Sequence, residues 1–316
     1  VCAALLAAAC GGGDSATTTG DQVFVTGSST VEPISIRVAE KASDLGLSVV
    51  VEGPGTGDGF KKFCAGDGDV VGASRPIKDE ELEICQANDI PLVELPVAID
   101  GLTVATSPNN TEVSCLDIPA LYALLGPESE GKKRWSDVLD LAYELGSTST
   151  DLPNETLYVA GPGEESGTYD SFVEFAIADI AEERGTDEWA RADYVSSSND
   201  NLIVESIEGS DHSLGWIGYA FYKADADQMK AIEIVGANGE CVAPTDETLA
   251  DGTYPFSRLL YIYVNTERAS ANPAVIDFID LYLSDDGIAS VAEAGYVPEP
   301  AERLAVARAT WAAASE

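Results

Sequence analysis

Positive charge is scarce in this chain: 17 lysines and arginines face 55 aspartates and glutamates, a formal net charge of −38. That balance excludes a nucleic-acid partner, because neutralising phosphates takes a basic face that so few cations cannot build. Histidine occurs once, at His212, and there is no C-x-x-C pair, so metal binding is only the competing reading of the cysteines and no metal is expected. A serine triad would have to use His212, and the G-x-S-x-G elbow is missing. The nucleotide loops G-x-x-x-x-G-K-[ST] and G-x-G-x-x-G are absent as well. No apolar run reaches the roughly 18 residues that a membrane span requires.

What remains is ample for a large core. The 316 residues are 45% apolar, enough for two domains or one large one. An acidic, lysine-poor surface suits work in high salt, where screening suppresses self-repulsion; an ordinary acidic secreted protein is the alternative. The first ten residues, "VCAALLAAAC", read as the tail of a secretory signal and resemble a bacterial lipoprotein cleavage site, with Cys10 as lipid acceptor. "GGGDSATTTGD", residues 11–21, reads as a flexible tether. Cys64, Cys85, Cys115 and Cys241 are then left, which implies two disulfides with three pairings open.

Strands alternate with helices along the chain. "QVFVTG", "LSVVVEG" and "DVVGAS" read as strands, and "PISIRVAEKASDLG" and "KDEELEICQAND" as helices. "PLVELPVAIDGLTVATSPNN" is a long strand-rich passage that leaves this first unit, and "YPFSRLLYIYVN" is a strong strand that crosses back. The alternation predicts an α/β fold with largely parallel sheets. Four loops repeat one device: "TGSSTVEP", "EGPGTGDGF", "GASRP" and "GPGEESGTYD" each follow a strand, lead towards a helix and carry glycine with small hydroxyls. Free N–H groups at a helix start, aided by the dipole, make an anion site, and such loops of one parallel sheet gather at one edge. Any one of them alone reads first as an ordinary turn or cap; it is the four together that point to an anion.

The ordered set "TGSSTVEPI", "GTGDGFKKFCAGDGDVVGASRPIKDEE", "GPGEESGTYDSF", "SNDNLIVESIEG", "LGWIGYAFY" and "YPFSRLLYIYV" resembles the phosphate-binding proteins of ABC transporters, the PstS family, and within it the SphX branch, over about residues 23 to 300. The resemblance implies a two-lobed binding protein of the second structural type. Lobe one would be residues 22–105 plus 255–316 and lobe two 106–254. It also implies an extracytoplasmic, lipid-anchored monomer that takes no cofactor, holds inorganic phosphate between its lobes and delivers it to a membrane permease. Pairing Cys64 with Cys85 and Cys115 with Cys241 would keep each disulfide within one lobe.

Carried over by motif, Thr30 and Val31 would donate to phosphate, with Ser29 beside them. Thr56 and Ser74 stand on the second and third loops, and Ser166, Gly167 and Thr168 would donate from the opposite lobe. Two positions depart from the family. Pro162 stands where well-known members have an arginine, and Arg75 stands where they have the aspartate that accepts the proton of hydrogen phosphate. Arg75 is therefore expected to pair with phosphate oxygens, and Glu164 is the candidate acceptor, with a salt bridge to Arg75 or a solvent-facing position as its other readings. Alternatives left open are another tetrahedral oxyanion (sulfate, arsenate or molybdate), a phosphate sensor, and a serine hydrolase or phosphatase.

Overall fold

A computed structural model describes residues 22–149 and 151–315. The signal remnant, Cys10 and the tether lie outside the described residues. Strands β1 (Gln22–Gly27), β2 (Ser48–Val51), β3 (Val70–Ala73) and β4 (Leu92–Thr106) are separated by helices α1 (Glu32–Asp44), α2 (Thr56–Cys64) and α3 (Asp79–Ala87). There follow β5 (Cys115–Leu116), α4 (Ile118–Leu125), α5 (Leu139–Glu144), β6 (Tyr158–Pro162), α6 (Gly167–Ala176), α7 (Ala178–Arg184), β7 (Val195–Ser197), α8 (Asp200–Glu208) and β8 (Ser213–Gly218). Short β9 (Lys230–Ala231), β10 (Glu233–Val235) and β11 (Cys241–Val242) precede the long β12 (Ser257–Asn265), and β13 (Val297–Pro298) lies just before the last helix, Ala301–Ala314.

The strand order β2-β1-β3-β12-β4-β8-β6-β7 is parallel on both flanks. Its centre is antiparallel, because β12 runs against both β3 and β4, and β4 runs against β8. The parallel flanks follow from strand–helix alternation; the centre departs from it because one long strand leaves the first half and another returns. β4 is the shared element. Its first part, from Leu92 to Gly101, pairs with β12, and Leu102 to Ala105 pair with β8. Between Leu260 and Tyr261 the register shifts opposite Pro96 and Ala98, leaving Val97 as the extra residue. Proline cannot donate to a ladder, and a bulge is where a sheet tolerates it.

Each half has its own hydrophobic core. Val23, Val25, Ile34, Leu95, Ile262, Phe278, Tyr282 and Trp311 belong to one. Leu102, Val104, Leu121, Phe172, Trp216 and Phe256 belong to the other. In the second core the Phe172 ring stacks on Trp216 at 4.5 Å, which fixes α6 against β8. Asp117 opens α4 by accepting from the Ala120 N–H, and it also takes the hydroxyls of Ser147 and Thr148 and the N–H groups of Thr148 and Ser149.

Both expected disulfides are present. Cys64–Cys85 ties α2 to α3, and Cys115–Cys241 ties β5 to β11. Their separations of 21 and 126 residues make the second the greater restraint on the unfolded chain. By loop-closure entropy that is about 3 against about 5 kcal/mol. No helix among the described residues is long and apolar enough to cross a membrane.

Candidate oxyanion site

The three loops of the first half meet at one edge of its sheet. Gly27 ends β1 at φ 127°, a conformation that side chains resist, and lies so close to Gly72 that a Cβ there would strike its backbone. Gly59 packs α2 onto the same spot. That close approach brings the 28–31 turn, the start of α2 and the end of β3 together. They surround a cavity of 270 Å³ lined by Ser28, Ser29, Thr30, Gly55, Thr56, Gly57, Ser74 and Arg75, with Asp170 and Glu174 from α6 closing the far side.

Ser28 organises the first turn. Its Oγ accepts the Thr30 N–H at 3.1 Å, and its carbonyl accepts the N–H groups of Val31 and Glu32 at 3.1 and 3.0 Å. The Thr30 and Val31 amides are thus already bonded within the turn, and the Val31 side chain is buried in the core. Thr56 Oγ1 and Ser74 Oγ share a hydrogen bond of 3.1 Å, and the Ser74 N–H donates to Thr56 Oγ1 at 3.3 Å. Gly55, at φ 103°, lets the chain turn sharply into α2, whose first N–H groups have no partner within the helix.

Arg75 makes a two-pronged pair with Glu81, both contacts at 2.8 Å, and its guanidinium lies 5.8 Å over the Phe60 ring. The Glu81 hydrogen bonds push the Arg75 pKa up, outweighing burial. Arg75 lines the cavity, and its charge is answered by Glu81 and not by Glu164. Glu164 is exposed and lines neither this cavity nor its neighbours. The acids that face the cavity are Asp170 and Glu174, four residues apart and so on one face of α6. The Ser29 hydroxyl donates to Asp170 Oδ2 at 3.5 Å. Burial raises the Asp170 pKa, partly offset by that hydrogen bond.

Ser166, Gly167 and Thr168 line an adjacent cavity of 330 Å³, together with Arg37, Ser197, Ser198 and Tyr296. Ser166 caps α6, accepting the Thr168 N–H at 3.2 Å. A side chain at Gly167 would meet the Tyr296 hydroxyl at 3.0 Å and the Thr30 Cα at 4.0 Å, so Gly167 packs near Thr30, while Ser166, Gly167 and Thr168 line a separate cavity from the loops of the first half. His212 is remote from both: its side chain faces Glu112 at 3.5 Å and its carbonyl accepts the Trp135 indole N–H.

Sequence reasoning did not single out a buried ion pair behind the cavity. Arg258 on β12 and Asp100 on β4 are direct register partners, Nε to Oδ2 at 3.1 Å. Arg258 Nη2 donates to Ser171 Oγ at 3.0 Å and to Thr30 Oγ1 at 3.5 Å. A signal existed. "PVAIDGLTVA" and "FSRLLYIYV" each carry one charge in an otherwise apolar strand, and a buried charge needs an opposite partner.

Comparison with known proteins gives a consistent picture. Residues 12–286 match the family described as PBP superfamily domain. The chain is 37% identical to the protein SphX of Synechococcus elongatus over 289 residues, covering 90% of this chain and 80% of that protein. To the phosphate-binding protein PstS of Staphylococcus aureus it is 36% identical over 305 residues, 94% of this chain and 85% of that one. Among solved structures, a "possible phosphate binding protein" from Planctomyces limnophilus superposes with a TM-score of 0.84 at 36% identity, covering 93% of this chain and 99% of that chain.

Proposed function

The chain belongs to the PBP superfamily, in the company of the SphX and PstS proteins, and from that membership we propose that it captures inorganic phosphate outside the cytoplasm and delivers it to the permease of an ABC importer. One observation carries the reading. The hydroxyls of Ser28, Ser29, Thr30, Thr56 and Ser74 and the guanidinium of Arg75 converge on a single small cavity at the start of two helices. Hydroxyls and helix-start amides are oxyanion donors, and no apolar side chain lines the cavity; its two carboxylates, Asp170 and Glu174, stand together on the α6 side.

In this reading Ser29, Thr30, Thr56, Ser74 and Arg75 bind from the first lobe, residues 22–105 with 255–316. Ser166, Gly167 and Thr168 bind from the second, residues 106–254, with β4 and β12 as the hinge. The Val31 amide helps only if it exchanges Ser28 for a ligand oxygen. Asp170 takes the acceptor role in place of Glu164, because its carboxylate faces the cavity. Hydrogen phosphate carries a proton that an acceptor can receive, whereas sulfate meets the same carboxylate oxygen against oxygen. Ferrying a solute requires no catalysis, so the protein acts as a monomeric receptor and not as an enzyme. The leader-like "VCAALLAAAC" supports a lipid anchor at Cys10.

Titration calorimetry with phosphate, arsenate and sulfate across pH 6 to 8 tests the proposal. Phosphate and arsenate binding with sulfate rejected is the expected result. Heats for sulfate equal to those for phosphate would remove the acceptor, and no phosphate heat at millimolar ligand would overturn the function.

A further inference from the structure

Arg258 is held by two carboxylates, and they differ in kind. Asp100 is buried, on the strand beside it, and also accepts the Ser171 hydroxyl at 2.7 Å. Glu174 reaches Arg258 Nη1 with Oε2 at 2.5 Å from α6, yet 56% of its side chain is exposed against 12% for Arg258. One counter-ion is fixed by the sheet and by a second hydrogen bond. The other stands at the protein–water boundary on a flexible stem.

Position gives the exposed carboxylate a role. Glu174 lines the 270 Å³ cavity, and it also lines a neighbouring cavity of 380 Å³ into which Arg258 opens. Ser74 and Arg75 are common to both, so Glu174 stands with them at the partition. On the cavity's side of that partition stand Thr30 and Asp170; Phe175 stacks beneath the guanidinium at 5.0 Å. Asp100 alone neutralises Arg258, and an ion pair with one water-exposed member adds little to stability. A second carboxylate here therefore contributes little to the fold and much to what the guanidinium can bind.

We propose that Glu174 is a displaceable internal anion: it occupies Arg258 Nη1 in place of the ligand and swings into solvent when an oxyanion enters, so that Arg258 becomes a further oxyanion-binding residue and Glu174 a gate on affinity. The inference rests on the phosphate reading. Asp100 stays as the fixed counter-ion, Ser171 keeps Nη2 aligned, and the exchange swaps one charge-assisted hydrogen bond for another. An incoming dianion meets the Glu174 charge at close range, and removing that charge removes the repulsion.

The test compares wild type, Glu174→Gln and Arg258→Lys by titration calorimetry with inorganic phosphate at low and at high sodium chloride. Glu174→Gln should bind phosphate about tenfold more tightly or better, a gain that shrinks with salt because it is electrostatic. Its melting temperature should stay at the wild-type value, since the side chain is exposed. Arg258→Lys should weaken phosphate binding, because lysine cannot serve Asp100 and a ligand in fork geometry. If wild type binds phosphate and Glu174→Gln binds it no tighter, this inference falls and the phosphate function stands. If wild type binds no phosphate, both fall. Should Arg258→Lys not fold, the Glu174→Gln comparison decides alone.

Discussion

Replacing Asp170 with asparagine should collapse discrimination between phosphate and sulfate. The carboxylate faces the cavity from α6 and takes a long hydrogen bond of 3.5 Å from Ser29, which leaves capacity to accept a ligand proton. A hydrogen bond of that kind to a charged group contributes roughly 1.5–3 kcal/mol, so phosphate should weaken by about tenfold to a hundredfold in the variant. Sulfate should strengthen, because an amide N–H replaces a like charge; the combined ratio should fall by about a hundredfold. Burial raises the Asp170 pKa, which fixes the sign of the pH effect. Acceptor function is present above the folded value and is lost as pH falls through it, so wild-type sulfate binding should grow with acidity while that of the variant stays flat. Calorimetric titration of both anions into both proteins at pH 7.5 and pH 5 measures the four affinities. An unchanged phosphate-to-sulfate ratio in Asp170→Asn would refute the assignment, and an altered melting temperature would show that the residue serves the fold.

Arg75→Ala should weaken phosphate about tenfold or more, since it removes a charge-assisted donor and leaves Glu81 uncompensated beside the cavity; unchanged calorimetric affinity would take Arg75 out of the site. Asp117→Ala should cost about 2–4 kcal/mol of stability in urea unfolding, because it strips the α4 cap and leaves donors from Ser147 and Thr148 unanswered. Burial alone would raise the Asp117 pKa, but its hydrogen bonds from Ala120, Ser147 and Thr148 prevail and hold it below the ordinary value. Its contribution is therefore present above the unfolded value near 4 and is lost as pH falls through the lower folded one, so wild type and variant should converge in stability in strong acid.

Local pattern carried most of the fold. The expected strand "QVFVTG" is β1 residue for residue, and "YPFSRLLYIYVN" contains β12, because β-branched and aromatic runs bounded by turn residues leave few alternatives. The small sheet of β5, β10 and β11 was not legible: its strands are two or three residues long and are stabilised by pairing across some 120 residues of chain and by the Cys115–Cys241 bond. At the site, residue types were readable and directions were not. Glycine and hydroxyl content marked Thr56, Ser74 and Ser166, yet only the rotation of α6 decides that Asp170 and Glu174, exposed like Glu164, line the cavity while Glu164, on the loop before the helix, does not. The Arg258–Asp100 pair was within reach, one lone charge in each of two crossing strands, but recognising it required knowing that the two strands pair in that register.

A chain of net charge −38 that binds an anion cannot rely on long-range attraction. Screening confines the field of the surface acids to about 8 Å at physiological salt and about 3 Å at 1 M, so those acids neither help nor forbid a ligand already in contact with its donors. Arg75 at the cavity and Arg258 behind it are also spoken for, Arg75 by Glu81 and Arg258 by Asp100 and Glu174. Neither of those two guanidiniums is a surplus positive charge awaiting the ligand. Binding must then be an exchange, in which ligand oxygens replace internal acceptors at donors already aimed: Glu174 at Arg258 Nη1, and Ser28 at the Thr30 and Val31 amides. At Arg258 the exchange replaces one anionic oxygen by another, and at the Ser28 turn a neutral acceptor by a charged one; both depend on geometry, which rewards a compact tetrahedral oxyanion that satisfies several donors at once.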